Sequence, residues 1–222
     1  MPQSTWDPFD GLSDAQVEQL SAYESLLEQF NRRVNLVSPE SAQRMWNEHI
    51  RHSLCLTRRS FPAGSSIVDW GTGGGLPAIP LAIAFPDITV YAVDSVGKKV
   101  RAVRTFARRL ELENVFAWNG RAEEWTGSAH FSVSRATAPL ADLWSWHERI
   151  VAPIDADSSD HWPPGLICLK GGDLSVEIQE LHHEADGVAV VEEGIYPLLK
   201  NDHFREKKIV AVTRPPSPSG DQ

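Results

Sequence analysis

Cysteine is scarce in this chain of 222 residues: Cys55 and Cys168 are the only two. They supply neither a disulfide framework nor a spaced set of zinc ligands, and a reducing, cytoplasmic location is the simplest inference. Long apolar runs are missing as well. The longest, Leu76 to Phe85, is ten residues with two prolines inside it, about half of the roughly 20 that a spanning helix needs, so no membrane segment is expected. The N-terminus MPQSTWDPFD is acidic and lacks the basic start and apolar centre of a secretory signal. No internal repeat is present. Positive charge is in deficit, with a net charge of −9, which on its face argues against a nucleic-acid partner because phosphates are met mainly by Lys and Arg.

The distribution of charge reverses that last exclusion. Residues 150–222 carry 13 acidic against 6 basic groups, whereas residues 61–149 balance at 9 each. Lys98, Lys99, Arg101, Arg104, Arg108 and Arg109 fall within twelve residues that contain no acid. With 41% apolar and 23% charged residues, and Gly and Pro at 15 each, neither a disordered nor a collagen-like chain is tenable. A globular protein with one main domain is expected.

Residues 13–31 read as an amphipathic helix, with Ser13 as N-cap and Leu20, Tyr23, Leu26, Leu27 and Phe30 at helical spacing. A second helical stretch runs from about Pro39 to Thr57, with Ser38 as its cap. Together they form an N-terminal helical cap over residues 1–60. From Ser66 onward, short apolar runs at 66–69, 88–93, 114–118, 130–134 and 165–170 alternate with helical segments at 77–85, 97–111 and 138–151. That alternation signals a mostly parallel sheet covered by helices. Two further β-rich runs, 188–196 and 206–213, are joined by a loop without a helical pattern and predict an antiparallel pair. Residues 153–164 form a polar, proline-containing insertion. The main domain spans 61–214, and a disordered tail is expected over 215–222.

Chemistry concentrates after the first strand. Asp69 is followed by Gly71, Gly73 and Gly75 in alternation, and then Leu76-Pro77 opens a helix. Glycines permit backbone conformations closed to other residues and let a ligand approach the main chain; a proline in the first helical turn loses no hydrogen bond. The nicotinamide fingerprint G-x-G-x-x-G fails, because its sixth position is Leu76 counted from Gly71 and Ala78 counted from Gly73. The remaining pattern, Asp-x-Gly-x-Gly-x-Gly, resembles the first motif of class I S-adenosylmethionine-dependent methyltransferases. The next strand, ITVYAVD, ends on Asp94, where a carboxylate can accept both ribose hydroxyls of a nucleoside or can cap the helix near Gly97. A third turn, Asn119-Gly120-Arg121-Ala122-Glu123, has the position that contacts adenine in such folds, with Glu123 as the polar side chain.

The segments NRRVNLVS, EHIRHSL, VDWGTGGGLPAIPLA, DSVGKKVRAVR, NGRAEEW, SRATAPL and LICLKGG, in this order and spacing, resemble the bacterial small-subunit 16S ribosomal RNA guanine-N7 methyltransferases, the glucose-inhibited division protein B family. The resemblance covers about residues 20–172. It implies a Rossmann-like class I fold, with a seven-stranded, mostly parallel sheet and helices on both faces. It implies methylation of N7 of one guanine in small-subunit RNA, with S-adenosylmethionine as donor. Carried over by position, cofactor contacts fall on Gly71, Leu76, Ala122, Glu123 and Arg135, with Asp69 and Asp94 supporting the site alongside Gly73 and Gly75. The chain departs from the family pattern at His52, where an Asp is usual, at Ala78, where Gly is usual, and at Thr137, where Phe is usual.

Guanine N7 bears a lone pair and no proton, so attack on a sulfonium methyl needs no general base and positioning is the main device. No catalytic base is assigned. Arg121 and Arg135 are the candidates for orienting the guanine or a phosphate, and Lys98, Lys99, Arg101 and Arg104 for holding flanking RNA. Eight histidines invite a metal, but His49 and His52 lack acidic or cysteine partners at ligand spacing, so core or surface roles are expected and no metal is assigned. Trp144 and Trp146 read as core and interface residues, while Trp70 lies inside the glycine turn. The expected partner is 16S RNA or the small subunit, with the chain itself a monomer. The alternatives are a non-catalytic RNA-binding protein, or a methyltransferase for another substrate, on the same fold.

Overall fold

The computed structural model describes residues 6–38, 44–154 and 158–215. Helix α1 spans Asp14–Val34. Its start is fixed by a capping box, in which the Gln16 N–H donates to Ser13 Oγ (3.3 Å) and the Ser13 N–H donates to Gln16 Oε1 (2.9 Å). Asn35, in the left-handed region at φ 53°, ends it. Leu20, Tyr23 and Leu27 form its buried face. The second expected helix is broken in character, with a π-helical turn at Trp46–Ile50, α2 at Arg51–Leu54 and a 3-10 turn at Cys55–Arg58. Its expected first residues, 39–43, lie outside the described residues, as does most of the expected tail, 216–222.

The strands are β1 (Ser66–Trp70), β2 (Thr89–Asp94), β3 (Val115–Asn119), β4 (Phe131–Arg135), β5 (Gly165–Gly171), β6 (Ala189–Gly194) and β7 (Lys207–Thr213). They form one seven-stranded sheet in the order β3-β2-β1-β4-β5-β7-β6. The first five strands in that order run parallel; β7 inserts antiparallel between β5 and β6. The seven strands, the mostly parallel sheet and the antiparallel C-terminal pair are as expected, with strand bounds within about two residues.

Alternation along the strands sends side chains to two apolar layers. Ile67, Val90, Ala92, Phe131, Val133 and Ile167 join one layer with α1, α3 (Ala78–Ala84) and α4 (Gly97–Arg109). Val68, Trp70, Val93, Leu166, Cys168 and Val210 join the other with α5 (Leu140–Glu148) and α6 (Ser175–Glu184). Phe106 of α4 is fully buried and meets both Tyr23 and Phe30 of α1 edge-on; truncating so large a buried ring costs about 3–5 kcal/mol. Gln16 Nε2 donates to the Ile83 and Ala84 carbonyls at the end of α3 (2.7 and 3.2 Å). The N-terminal helix is thereby fixed along α3, the helix that follows the glycines.

Two expectations need correction. Residues 175–184 form α6, which the sequence did not announce, because Leu181 is its only fully buried apolar side chain and Val176 is 65% exposed. The connection between β6 and β7 is helical after all, with α7 at Tyr196–Leu199 and a 3-10 turn at Asp202–Phe204, segments too short to show a period of 3.6. The insertion is anchored by Trp162, whose buried indole N–H donates to the Leu56 carbonyl (2.8 Å). No described helix is long and apolar enough to cross a membrane.

Candidate active site

The glycine turn leaves β1 at Trp70. Gly71, Gly73 and Gly75 adopt φ of 70°, 58° and 93°, a region open to glycine and costly for other residues. At Gly71 there is a second demand, since any Cβ would collide with the Thr137 side chain. Four groups brace the turn. The Thr72 N–H donates to the Val93 carbonyl (2.9 Å). Tyr23 on α1 donates its hydroxyl to the Gly74 carbonyl (2.8 Å). Asp69, fully buried beneath the turn, accepts from the Ala78 N–H at the start of α3 (3.1 Å). Asp94 accepts from the Gly73 N–H with one oxygen (3.0 Å) and from the Val96 N–H with the other (2.8 Å). Asp94 therefore both braces the glycine turn and shapes the entry to α4, and Lys99 Nζ stands 3.9 Å away.

A cavity of about 1650 Å³ opens along the carboxyl ends of the parallel strands, the usual crevice of open α/β sheets. One half is walled by Gly71–Gly74, Leu76, Asp94–Val96 and Gly120–Glu123; the other by His49, His52, Arg135–Thr137, Lys170–Gly172, Asp202, His203 and Arg205–Lys207. Between the halves, Ala136 adopts φ 52°, a left-handed conformation that costs a non-glycine residue about 1–2 kcal/mol. Neighbouring contacts hold it there: Thr137 Oγ1 lies 3.4 Å from the Gly71 carbonyl and 3.3 Å from that of Arg135. Lys170 Nζ donates to the Ala138 carbonyl (2.6 Å) and to Glu177 (2.7 Å).

Arg135, at the end of β4, donates to Nδ1 of His49 (2.7 Å). Its donation requires that nitrogen to be unprotonated, and burial, then the Arg135 charge, pushes the His49 imidazole down to about 3. Among the described residues no carboxylate lies within 4 Å of the guanidinium. Burial pushes Asp69 up to about 7, against the Thr72 hydroxyl, the Ala78 N–H and the Arg135 charge, which pull it down. Burial likewise raises the Tyr23 phenol.

Of the residues singled out in the sequence, the crevice brings together Gly71, Gly73, Leu76, Asp94, Lys99, Arg121, Ala122, Glu123 and Arg135. Gly75 is a correction: it lies off the wall, packed so closely on Ile79 that a Cβ would sit 2.7 Å from that side chain. Trp70 also turns away, fully buried against Trp125 and Trp146. Lys98, Arg101 and Arg104 stand outside the crevice on the exposed face of α4, and Arg104 donates to the Ala117 carbonyl (2.8 Å). Conversely, His49 and His52 line the crevice, where only core or surface roles were expected. Nothing in the sequence pointed to Tyr23 as a brace of the turn, or to Arg149, which donates to the Ala122 carbonyl (2.7 Å) and to that of Glu123. No cluster of three metal-ligating side chains occurs among the described residues.

The fold and crevice are those of class I S-adenosylmethionine-dependent methyltransferases. A ribosomal protein L11 methylase from Lactobacillus delbrueckii subsp. bulgaricus superposes with a TM-score of 0.55 at 15% identity, covering 74% of this chain and 77% of its own. Fibrillarin from Aeropyrum pernix, solved with natively bound S-adenosylmethionine, gives a TM-score of 0.51 at 15% identity, covering 68% and 67%. Residues 16–185 match the GidB family, rRNA small subunit methyltransferase G, and the chain belongs to that family. Ribosomal RNA small subunit methyltransferase G of Salinibacter ruber is 57% identical over 213 residues, 96% of this chain and 99% of the relative.

Proposed function

We propose that the chain transfers the methyl group of S-adenosylmethionine to N7 of a guanine in 16S ribosomal RNA of the small subunit, in the cytoplasm. The observation that carries this reading is one crevice with two unlike ends. At one, a glycine turn is braced by the Asp94 carboxylate; at the other, the Arg135 guanidinium has no carboxylate within 4 Å among the described residues. The residues suit the donor. Asp94 commits one lone pair of each oxygen to the backbone and keeps others to accept ribose hydroxyls. Gly71, Gly73 and Leu76 let the methionine portion lie against the main chain, Ala122 and Glu123 flank the adenine, and Asp69 sets the turn from below.

Held by Gly71, Gly73, Leu76 and Asp94, S-adenosylmethionine would supply a sulfonium-bound methyl, and its transfer to the N7 lone pair with loss of the carbon–sulfur bond would need no proton transfer. The chain's own task is thus orientation and exclusion of water. Arg135 takes the donor carboxylate or the base, Arg121 orients the nucleotide, and Lys98, Lys99, Arg101 and Arg104 hold flanking RNA. Residues 1–60 serve as a cap that fixes the glycine turn of a catalytic domain over 61–214. The test is incubation of the purified chain with label in the donor methyl and small subunits lacking the modification. Label is expected in 7-methylguanosine of the 16S RNA; label in another base, or bound RNA without transfer, would overturn the reading.

A further inference from the structure

Three cations stand at neighbouring strand ends in the second half of the crevice: Arg135 closing β4, Lys170 near the end of β5, and Lys207 opening β7 opposite Gly171. Two of them are engaged, Arg135 with His49 and Lys170 with Glu177 and the Ala138 carbonyl. Lys207 is different. Among the described residues no carboxylate lies within 4 Å of its ammonium, which rests beside Gly171, 3.3 Å from where a Cβ would be. The alternation of β7 sends its neighbour the other way, and Lys208 pairs with Glu192 at 2.7 Å.

The carboxylates on this wall are committed elsewhere: Glu48 to Arg44 (2.8 Å) and His203 (3.4 Å), Asp202 to Arg205 (2.8 Å), Glu177 to Lys170. Glu206 is exposed and beyond ion-pair reach of Lys207. His49 and His52 are disfavoured as cations by burial first and then by the Arg135 charge; burial also lowers His203, with Glu48 opposing and Lys207 adding to the shift. In a chain of net charge −9, Lys207 thus leaves an ammonium on the crevice wall with no carboxylate partner among the described residues, a group that suits a phosphate.

We propose that Lys207 is the principal ligand of a phosphate subsite, which holds the RNA backbone next to the base being methylated. The proposal rests on the RNA methyl-transfer reading and extends it to the C-terminal part of the sheet. Lys207→Met in the full chain is compared with Lys208→Met, whose cation lies outside the crevice, and with Lys207→Arg. Binding of a 16S RNA transcript is measured across salt concentrations without cofactor, and S-adenosylhomocysteine binding by calorimetry. The Lys207→Met chain should bind RNA about fivefold more weakly, with a salt slope shallower by about 0.7 to 0.9, while S-adenosylhomocysteine binding stays within about twofold. Lys207→Arg should restore RNA binding, and Lys208→Met should leave both unchanged.

Unchanged RNA affinity and slope would overturn the subsite. So would a loss confined to S-adenosylhomocysteine, which would give the ammonium to the donor carboxylate instead. A wild-type chain that binds the adenosyl ligand but no RNA would overturn the subsite while leaving methyl transfer standing. The expected RNA effect in a chain that transfers no methyl would uphold the subsite and sink the methyltransferase reading.

Discussion

The two halves of the crevice are built on opposite plans. Around the glycine turn the groups that shape the backbone already have partners within the protein: Gly73 N–H on Asp94, the Gly74 carbonyl on Tyr23, Ala78 N–H on Asp69. Around β4, β5 and β7 the cations Arg135 and Lys207 have no carboxylate within reach among the described residues. A half that is internally braced is rigid before any ligand arrives, so substitution there should cost both stability and affinity for the adenosyl ligand. Lys207 in the second half gains its partner only with the substrate, so its substitution should cost RNA binding and little stability.

The largest expected effect lies beneath the turn. Asp69 holds its proton up to about 7 in the folded chain but only to about 3.9 when unfolded. The folded state therefore binds the extra proton, and stability falls as pH rises from about 4 to about 7, by about 1.4 kcal/mol per unit, then levels. Urea unfolding of wild type and Asp69→Asn checks this: their difference in unfolding free energy should move in favour of the variant across that window and flatten above it. A pH-independent difference would contradict the burial argument.

Gly71→Val comes next. It forces a β-branched residue to φ 70° and into Thr137, so adenosyl-ligand affinity should drop by about 100-fold or more, with RNA binding retained. Asp94→Ala removes the acceptor for two backbone donors as well as the candidate ribose contact; a loss of about 30-fold in adenosyl-ligand affinity is expected by calorimetry. If either change weakened RNA and adenosyl ligand alike, the division of the crevice would fail. Replacing Lys98 and Arg101 together sharpens the comparison from outside the cavity. Both are exposed, so only RNA affinity and its salt slope should fall, by about 0.7 to 0.9 for each phosphate that is no longer neutralised, and an unchanged slope would remove this face of α4 from the RNA path.

What the sequence revealed follows the same division. Strands β1 to β5 and the glycine turn were legible because parallel, doubly covered strands are continuous apolar runs and because positive φ demands glycine. Gly75 shows the limit: spacing placed it in the turn but could not tell a ligand wall from a packing contact with Ile79. Helix α6 buries too little to leave a stripe. Tyr23 reaches Gly74 across 51 residues, and Lys207 differs from Lys208 only in the face of β7 it occupies. Neither fact has a local signature, since each depends on how the chain closes on itself.

The most direct test of the account is calorimetric titration of the purified chain with S-adenosylmethionine, S-adenosylhomocysteine and NAD. Binding of both adenosyl ligands and not of NAD is the predicted result. Binding of NAD, or of none of the three, would contradict the assignment of the glycine half of the crevice to a methyl donor.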